Sequence, residues 1–405
     1  MTRTERTFYI LEGSFQTWGW FMTPVYPIFL LSKGLDLFQM NVVLATYFLA
    51  TAIFEVPTGA VADVFGRRFS FILSCFVRSG AFLLYTFADS FTDCLIAEVI
   101  DAIGYTLASG ALEAWAIDGI REEGDHRPTD RLFARVEMII RGVMIVGGIA
   151  GGLLADIDLL LPWYVATVGF SLTGLYALVA MKEPRRPKRT RSAPIFQPLV
   201  AQMRDGVAAA RASRTVGILC LISAFTAAAL LPVNLTWPPR LELLSDQGYW
   251  VLGAATALLN AAAFTGAALT TRLLRHTGRE YLLFGTTLVR GLVFAAAALA
   301  TQFYPVLLGL LIGELMGGAG RPAYQAWLNE HIESSRRATV LSVATMSFTL
   351  GAAIGLVALG LLARSSGFSS AWLVAAALLV IAAPGYLLLG RIAPPVVGDE
   401  ASTAG

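Results

Sequence analysis

Charge is scarce in this sequence. Asp, Glu, Lys and Arg make up 14% of its 405 residues, against about 25% in soluble domains. The two signs nearly cancel, at a net +2, so a nucleic-acid partner held by bulk charge is not expected. Cysteine is scarcer still. Cys75, Cys94 and Cys220 have no paired spacing, and imply neither a disulfide framework nor a zinc site. Histidine occurs three times, as His126, His276 and His331, each in a polar segment that reads as a solvated loop. No Gly-rich Lys-Ser/Thr phosphate loop and no His-Glu-x-x-His pair is present, so neither ATP hydrolysis nor zinc hydrolysis finds its machinery. No metal and no cofactor is expected.

What the sequence has is apolar surface. Hydrophobic residues make up 56% of it, and soluble cores stop growing near ~250–300 residues. Lipid is the solvent that suits such a chain. A spanning helix needs ~20 mostly apolar residues, because hydrocarbon offers the backbone no other partner. Twelve segments meet that length: 8–31, 41–63, 69–88, 92–117, 132–155, 160–181, 215–237, 249–271, 280–300, 304–328, 338–363 and 369–391. The first follows MTRTERTFYILEG, which lacks a small-residue cleavage site, and reads as a retained span. Between the sixth and seventh lies the Pro-rich, basic stretch KEPRRPKRTRSAPIFQP. The expected organisation is an all-α membrane protein: a six-helix bundle over 1–181, a cytoplasmic linker over 182–214, a second bundle over 215–393 and a disordered tail over 394–405.

Positive charge orients the chain. Of 30 Lys and Arg, only Lys33, Arg240 and Arg364 fall in odd-numbered loops, while Arg78, Arg141, Arg290 and Arg321 lie within spans and Arg135 and Arg391 at the cytoplasmic ends of spans. Cytoplasmic loops retain the Lys/Arg excess. Both termini are therefore expected in the cytoplasm, with the chain multi-pass in the cytoplasmic membrane.

The two halves repeat each other. Ala114-Trp115 recurs as Ala326-Trp327, 212 positions later, and Asp118 meets Glu330, Ile120 meets Ile332 and Gly66-Arg67 meets Gly278-Arg279 at the same offset. Slightly out of step, Gly152-Leu-Leu-Ala155 recurs as Gly360-Leu-Leu-Ala363. A parallel repeat of two six-helix bundles is a transporter architecture, with substrate held between the halves near the midplane.

After the second span comes Gly59-Ala-Val-Ala-Asp63-Val-Phe-Gly66-Arg67-Arg68. Gly59 suits close helix approach, and Gly66 a tight turn without a Cβ penalty. Arg67 and Arg68 anchor the loop among headgroups, or take part in a charge network. This loop resembles the signature of the major facilitator superfamily, and with the 6+6 repeat the resemblance spans the chain. It implies a conformational lock in which Asp63 and Arg67 pair with an acid ending the fourth helix, here Asp118. The copy near Gly278-Arg279 has Arg275 where Asp63 would stand.

The fifth span, Arg141-Gly142-Val-Met-Ile-Val-Gly147-Gly148-Ile-Ala-Gly151-Gly152, is similar to the glycine motif of drug/proton antiporters, with Gly148 where that motif carries proline. Either it packs against a helix of the other half, sealing the periplasmic side, or it is generic small-residue packing. Drug antiporters carry an Arg in the fourth helix near Gly104, whereas this chain has Glu98 and Asp101 there.

Ionisable residues inside spans are functional candidates. Glu98 with Asp101, Glu314, Glu12 and Glu55 are the proton-coupling candidates, though a Glu98 near an interface would simply be hydrated. Glu137 and Arg141, four apart, are placed to pair. Gln16, Trp20, Tyr26, Asn234, Trp237, Asn260 and Tyr324 are candidates for a substrate wall suited to an amphipathic ligand, with interfacial belt aromatics as the competing explanation.

The expectation is a secondary transporter, not an enzyme, that exports small amphipathic organic compounds against protons. It would act as a monomer, with lipid and a small organic substrate as its partners. The alternatives are an uptake symporter for a nutrient or organic anion, and a non-transporting receptor or scaffold.

Overall fold

A computed structural model describes residues 1–125, 129–184, 213–332 and 334–392. The linker expected over 182–214 and the tail over 394–405 fall mostly or wholly outside those residues, as does His126. Every regular element among the described residues is a helix.

The first span is two pieces, α1 (Arg3–Trp20) and α2 (Tyr26–Ser32). Thr2 caps α1 by accepting the Glu5 N–H. The helix then stops where Pro24 and Pro27 each remove a backbone donor. α3 (Leu37–Phe65) starts at a capping box between Asp36 and Gln39, which satisfies two otherwise orphaned N–H groups. Gly66, at φ 102°, ends α3 and begins α4 (Arg67–Phe87). The fourth span also breaks, into α5 (Phe91–Ala108) and α6 (Ala111–Glu122), at Gly110 with φ 68°. α7 (Asp130–Ile157) and α8 (Leu161–Ala180) follow. Beyond the linker come α9 (Arg214–Glu242), α10 (Trp250–Leu273), α11 (Arg279–Leu299) and α12 (Phe303–His331).

α13 (Ser334–Ala382) runs 49 residues, about 74 Å of helix at 1.5 Å per residue. The hydrocarbon core is only ~30 Å thick, so this run must cross twice. Gly367, at φ 79°, turns it back, and α14 (Pro384–Ile392) completes the last span. By length and apolar composition 10 helices qualify as spans among the described residues, with Val343–Ile392 counted once. Dividing that run at Gly367 and adding the broken first span restores the twelve expected crossings.

The outward faces are apolar. Val179 is 83% exposed, Tyr304 73% and Leu299 68%, a surface that water would not tolerate at this density. By packing, the chain forms two compact units: Met1–Leu199 with Leu235–Asn260, and Val200–Asn234 with Ala261–Gly405. In the first, α4 lies against α3, α5 and α8, and α1 against α7 and α8. In the second, α11 lies against α12, α13 and α14. The repeated tryptophans occupy matching cores: Trp115 is 2% exposed and Trp327 1%. Their indoles donate to the Lys182 carbonyl at 2.7 Å and the Glu280 carboxylate at 3.0 Å.

Candidate functional site

Burying a charge costs several kcal/mol unless a partner and hydrogen bonds compensate it. The third and fourth spans solve this with a fork. Arg78 Nε donates to Asp101 Oδ1 at 2.7 Å and Nη2 to Oδ2 at 3.2 Å. The two side chains are only 9% and 10% exposed. The guanidinium lies 4.6 Å from the Phe170 ring centre and 5.0 Å from that of Phe15, with Phe82 and Tyr105 beyond, so its faces meet negative ring potential. Gly104 is required here. A Cβ on it would stand 2.5 Å from Arg78 Cγ. No arginine stands on the fourth helix near Gly104; Arg78 of the third helix packs against that glycine instead.

The second unit repeats the device. Arg290 Nη2 donates to Glu314 Oε1 at 2.7 Å, and a Cβ on Gly317 would lie 2.8 Å from Arg290 Nη1. Arg78 and Arg290 are 212 positions apart, the tryptophan offset, and Asp101-x-x-Gly104 matches Glu314-x-x-Gly317. That spacing was a legible signal, and sequence reasoning passed over it.

Glu98 is different. It is 4% exposed, and the hydroxyls of Tyr26 and Tyr85 both hydrogen-bond with its Oε2, the first at 2.5 Å. The two hydroxyl oxygens are 2.7 Å apart. Three helices meet at this carboxylate: α2, α4 and α5. Two of the proton candidates, Asp101 and Glu314, are therefore held by arginines, while the third is held by phenols. Glu12 accepts from Gln16 Nε2 at 2.8 Å on its own helix, and exposed Glu55 accepts from Ser109 at 3.0 Å. Glu137 and Arg141 pair at 2.7 Å across one helical turn.

The substrate-wall candidates are dispersed. Gln16 and Trp20 stand half-buried on α1, and Tyr26 joins Glu98. Asn234 is exposed and Tyr324 half-buried in the second unit, whereas Trp237 is 8% exposed within the first. Asn260 donates to the Thr256 carbonyl of its own helix at 2.9 Å. No group of three His, Cys, Asp or Glu side chains among the described residues is placed to hold a metal.

At the loop between α3 and α4, Arg67 Nη1 pairs with the Asp118 carboxylate and the Ala114 carbonyl. Arg68 Nη2 donates to the Leu178 carbonyl at 2.6 Å. A residue that the sequence reading missed, Glu183, accepts the Arg67 and Arg68 backbone N–H groups at 3.0 and 2.8 Å. This carboxylate caps α4, where a helix N-terminus favours negative charge. It also explains Gly66 twice over, since a Cβ there would meet the Glu183 carboxyl at 2.9 Å as well as strain the backbone. Two details depart from the expectation. Asp63 is exposed, outside the Arg67–Asp118 pair. Gly59 has no atom within 4 Å of where a Cβ would stand, so no close helix approach is made there.

The glycines of α7 form two rows within the first unit. Gly147 and Gly151 meet Trp20 and Phe21 at the end of α1, while Gly148 and Gly152 meet Thr256, Gly253 and Tyr249 at the start of α10. One turn further, Asp156 accepts the N–H groups of Tyr249 and, at 3.1 Å, Trp250. Sequence reasoning missed Asp156 because its partners are backbone groups, which leave no mark in a sequence.

Comparison with known proteins places this geometry. The sequence profile of the Major Facilitator Superfamily matches residues 13–312 and 245–404. The chain is 24% identical over 373 residues to the uncharacterized MFS-type transporter YxaM of Bacillus subtilis, covering 91% of this chain and 92% of that one. It is 27% identical over 341 residues to the class G tetracycline resistance protein of Vibrio anguillarum, covering 81% of each. Among solved structures, the nucleoside transporter NupG superposes with a TM-score of 0.78 over 96% of this chain and 99% of that one. At 13% identity, that is a likeness of fold.

Proposed function

Because the chain belongs to the Major Facilitator Superfamily, a family of multi-pass membrane transporters, we propose that it exports small amphipathic organic compounds in exchange for protons, with Glu98 as the proton carrier. One observation supports Glu98 above the other carboxylates. Asp101 and Glu314 each hold an arginine as counter-charge, a charge-assisted pair that already occupies the carboxylate. Glu98, buried at 4% exposure, is held by hydroxyl groups, which serve an acid in either protonation state.

Export is favoured over uptake by the similarity to tetracycline resistance proteins of classes G and C and by the glycine rows of α7. The bias of Lys and Arg toward even loops supports cytoplasmic termini. In that orientation the Arg67–Asp118 pair sits on the cytoplasmic side, where it serves as a lock on one state of the alternating cycle. The protein acts as a monomer in this reading, with the proton as coupling ion.

The test is flux in proteoliposomes of the purified full chain, with tetracycline, ethidium and a nucleoside as probes. An imposed pH gradient is expected to drive one of these compounds opposite to the proton. Glu98→Gln is expected to abolish gradient-driven accumulation while leaving exchange of labelled for unlabelled compound intact. Movement of compound and proton in the same direction would establish uptake instead, and full coupling in Glu98→Gln would remove Glu98 from the mechanism.

A further inference from the structure

The second unit repeats the ion pair of the first but not what lies beside it. Seven residues after Arg78 stands Tyr85, whereas seven after Arg290 stands Ala297; three before Asp101 stands Glu98, whereas three before Glu314 stands Leu311. Apolar side chains therefore suffice at these positions of the repeat. The hydroxyls and carboxylate of the first unit are not needed to build it, and burying them carries a desolvation cost.

Their geometry shows what they suit. Tyr26 Oη, Tyr85 Oη and Glu98 Oε2 are mutually within hydrogen-bond distance, with Tyr26 2.5 Å from Glu98 and 2.7 Å from Tyr85. Three oxygens make three edges. With Glu98 ionised, only the two phenolic hydrogens are present, and one edge brings lone pairs face to face. A third hydrogen on Oε2 fills every edge: Glu98 donates to Tyr85, Tyr85 to Tyr26, and Tyr26 back to Glu98. All three edges are close enough for a made O–H···O bond, the 2.7 Å between the hydroxyls among them, and three made edges are what the filled ring calls for.

The surrounding groups do not compete for that hydrogen. Arg78 and Asp101 are spent on each other. Lys33 directs its ammonium to the Thr86 carbonyl and toward Asp89. Tyr105 of α5 lies 5.8 Å from the Arg78 guanidinium, Tyr47 of α3 packs on Tyr105 with ring centres 6.0 Å apart, and Trp163 of α8 covers Tyr26 with ring centres 6.2 Å apart.

We propose that the proton carried in each cycle is held as the third hydrogen of a closed Tyr26–Tyr85–Glu98 ring, and that filling this ring fastens α2 to α4 and α5. The inference rests on the proton coupling proposed above and adds the two tyrosines to it as positioning residues. The proton arrives from water and adds to Oε2; the phenolic hydrogens stay on their oxygens, and no heavy-atom bond forms or breaks. Its departure leaves one edge without a hydrogen. Tyr26 lies just beyond the break between α1 and α2, so that loss frees α2 to swing about residues 21–25.

Infrared difference spectroscopy on the purified full chain, titrated with acid and base, tests this without any substrate. A protonated-carboxyl band is expected to titrate together with a tyrosine C–O–H band. Glu98→Gln should remove both, and Tyr26→Phe or Tyr85→Phe should remove the tyrosine partner. Isotopically labelled tyrosine in the unmutated protein should shift that second band, so the test survives a variant that folds poorly. A carboxyl band titrating alone, or a tyrosine band unchanged in both Phe variants, would overturn the ring. Since the flux experiment reads coupling and the spectra read the ring, failure of the ring is distinguishable from failure of the coupling on which it rests.

Discussion

The two arginine–carboxylate pairs occupy equivalent positions in the repeat, yet they are not equally finished. Arg78 and Asp101 form a two-bond fork under four aromatic rings. Among the described residues Arg290 makes one bond to Glu314 and one ring contact, with Phe294, and its buried Nε has no hydrogen-bond partner. Glu314 is 26% exposed where Asp101 is 10%. The repeated device is closed in one unit and more open in the other. The closed copy stands beside the Tyr26–Tyr85–Glu98 cluster, which needs fixed walls if a proton is to be held at one point.

That contrast breaks most sharply on truncation. Arg78→Ala strands Asp101 and should cost about 3–5 kcal/mol, whereas Arg290→Ala leaves a carboxylate that water already reaches and should cost about 1–2 kcal/mol. Thermal unfolding in detergent measures both, and equal losses would mean that the pairs are equally closed. The double change Arg78→Met with Asp101→Leu should recover most of the first loss, because an apolar pair of similar volume needs no compensation.

The glycines sharpen the comparison at a smaller scale. A methyl group at Gly104 meets the Arg78 stem and backbone, while at Gly317 it meets only the far end of Arg290. Gly104→Ala should destabilise by about 1–3 kcal/mol. For Gly317→Ala, where a flexible guanidinium can give way, a loss below about 1 kcal/mol is expected. If the order is reversed, the first pair is the more yielding one.

The smallest effect belongs to a carboxylate outside both pairs. Burial pushes Glu123 up, but hydrogen bonds from Thr4, Thr2 and the backbone outweigh it and hold the acid below the usual range. A carboxyl with a lowered native value contributes stability above its unfolded value and loses it as pH falls through the native one. Protection of the Thr4 and Glu5 amides, taken relative to their intrinsic exchange rates, should therefore fall in acid, and Glu123→Gln should make that protection indifferent to pH in that window. Exchange unaffected by either change would show that Glu123 does not hold the start of α1.

Some of this was legible early. Glu137 and Arg141 pair as their four-residue spacing requires, because helix geometry fixes both side chains on one face. Glu12 and Gln16 do the same. The Gly66 turn was legible because only a residue without Cβ fits φ 102°. Arg78 and Asp101 were each noticed, but not as partners. They sit 23 positions apart on different helices, and their meeting depends on how α4 and α5 are rotated about their own axes.

Composition and the period of charge thus determined by themselves that this chain lies in lipid, crosses it twelve times and repeats its first half. Those properties follow from solvation, which acts on each segment separately. Which carboxylate meets an arginine, which meets two phenols, and which end of a helix Glu183 and Asp156 cap were decided only by tertiary structure. Hydrocarbon tolerates many helix rotations alike, and only packing around small residues such as Gly104 and Gly148 selects one.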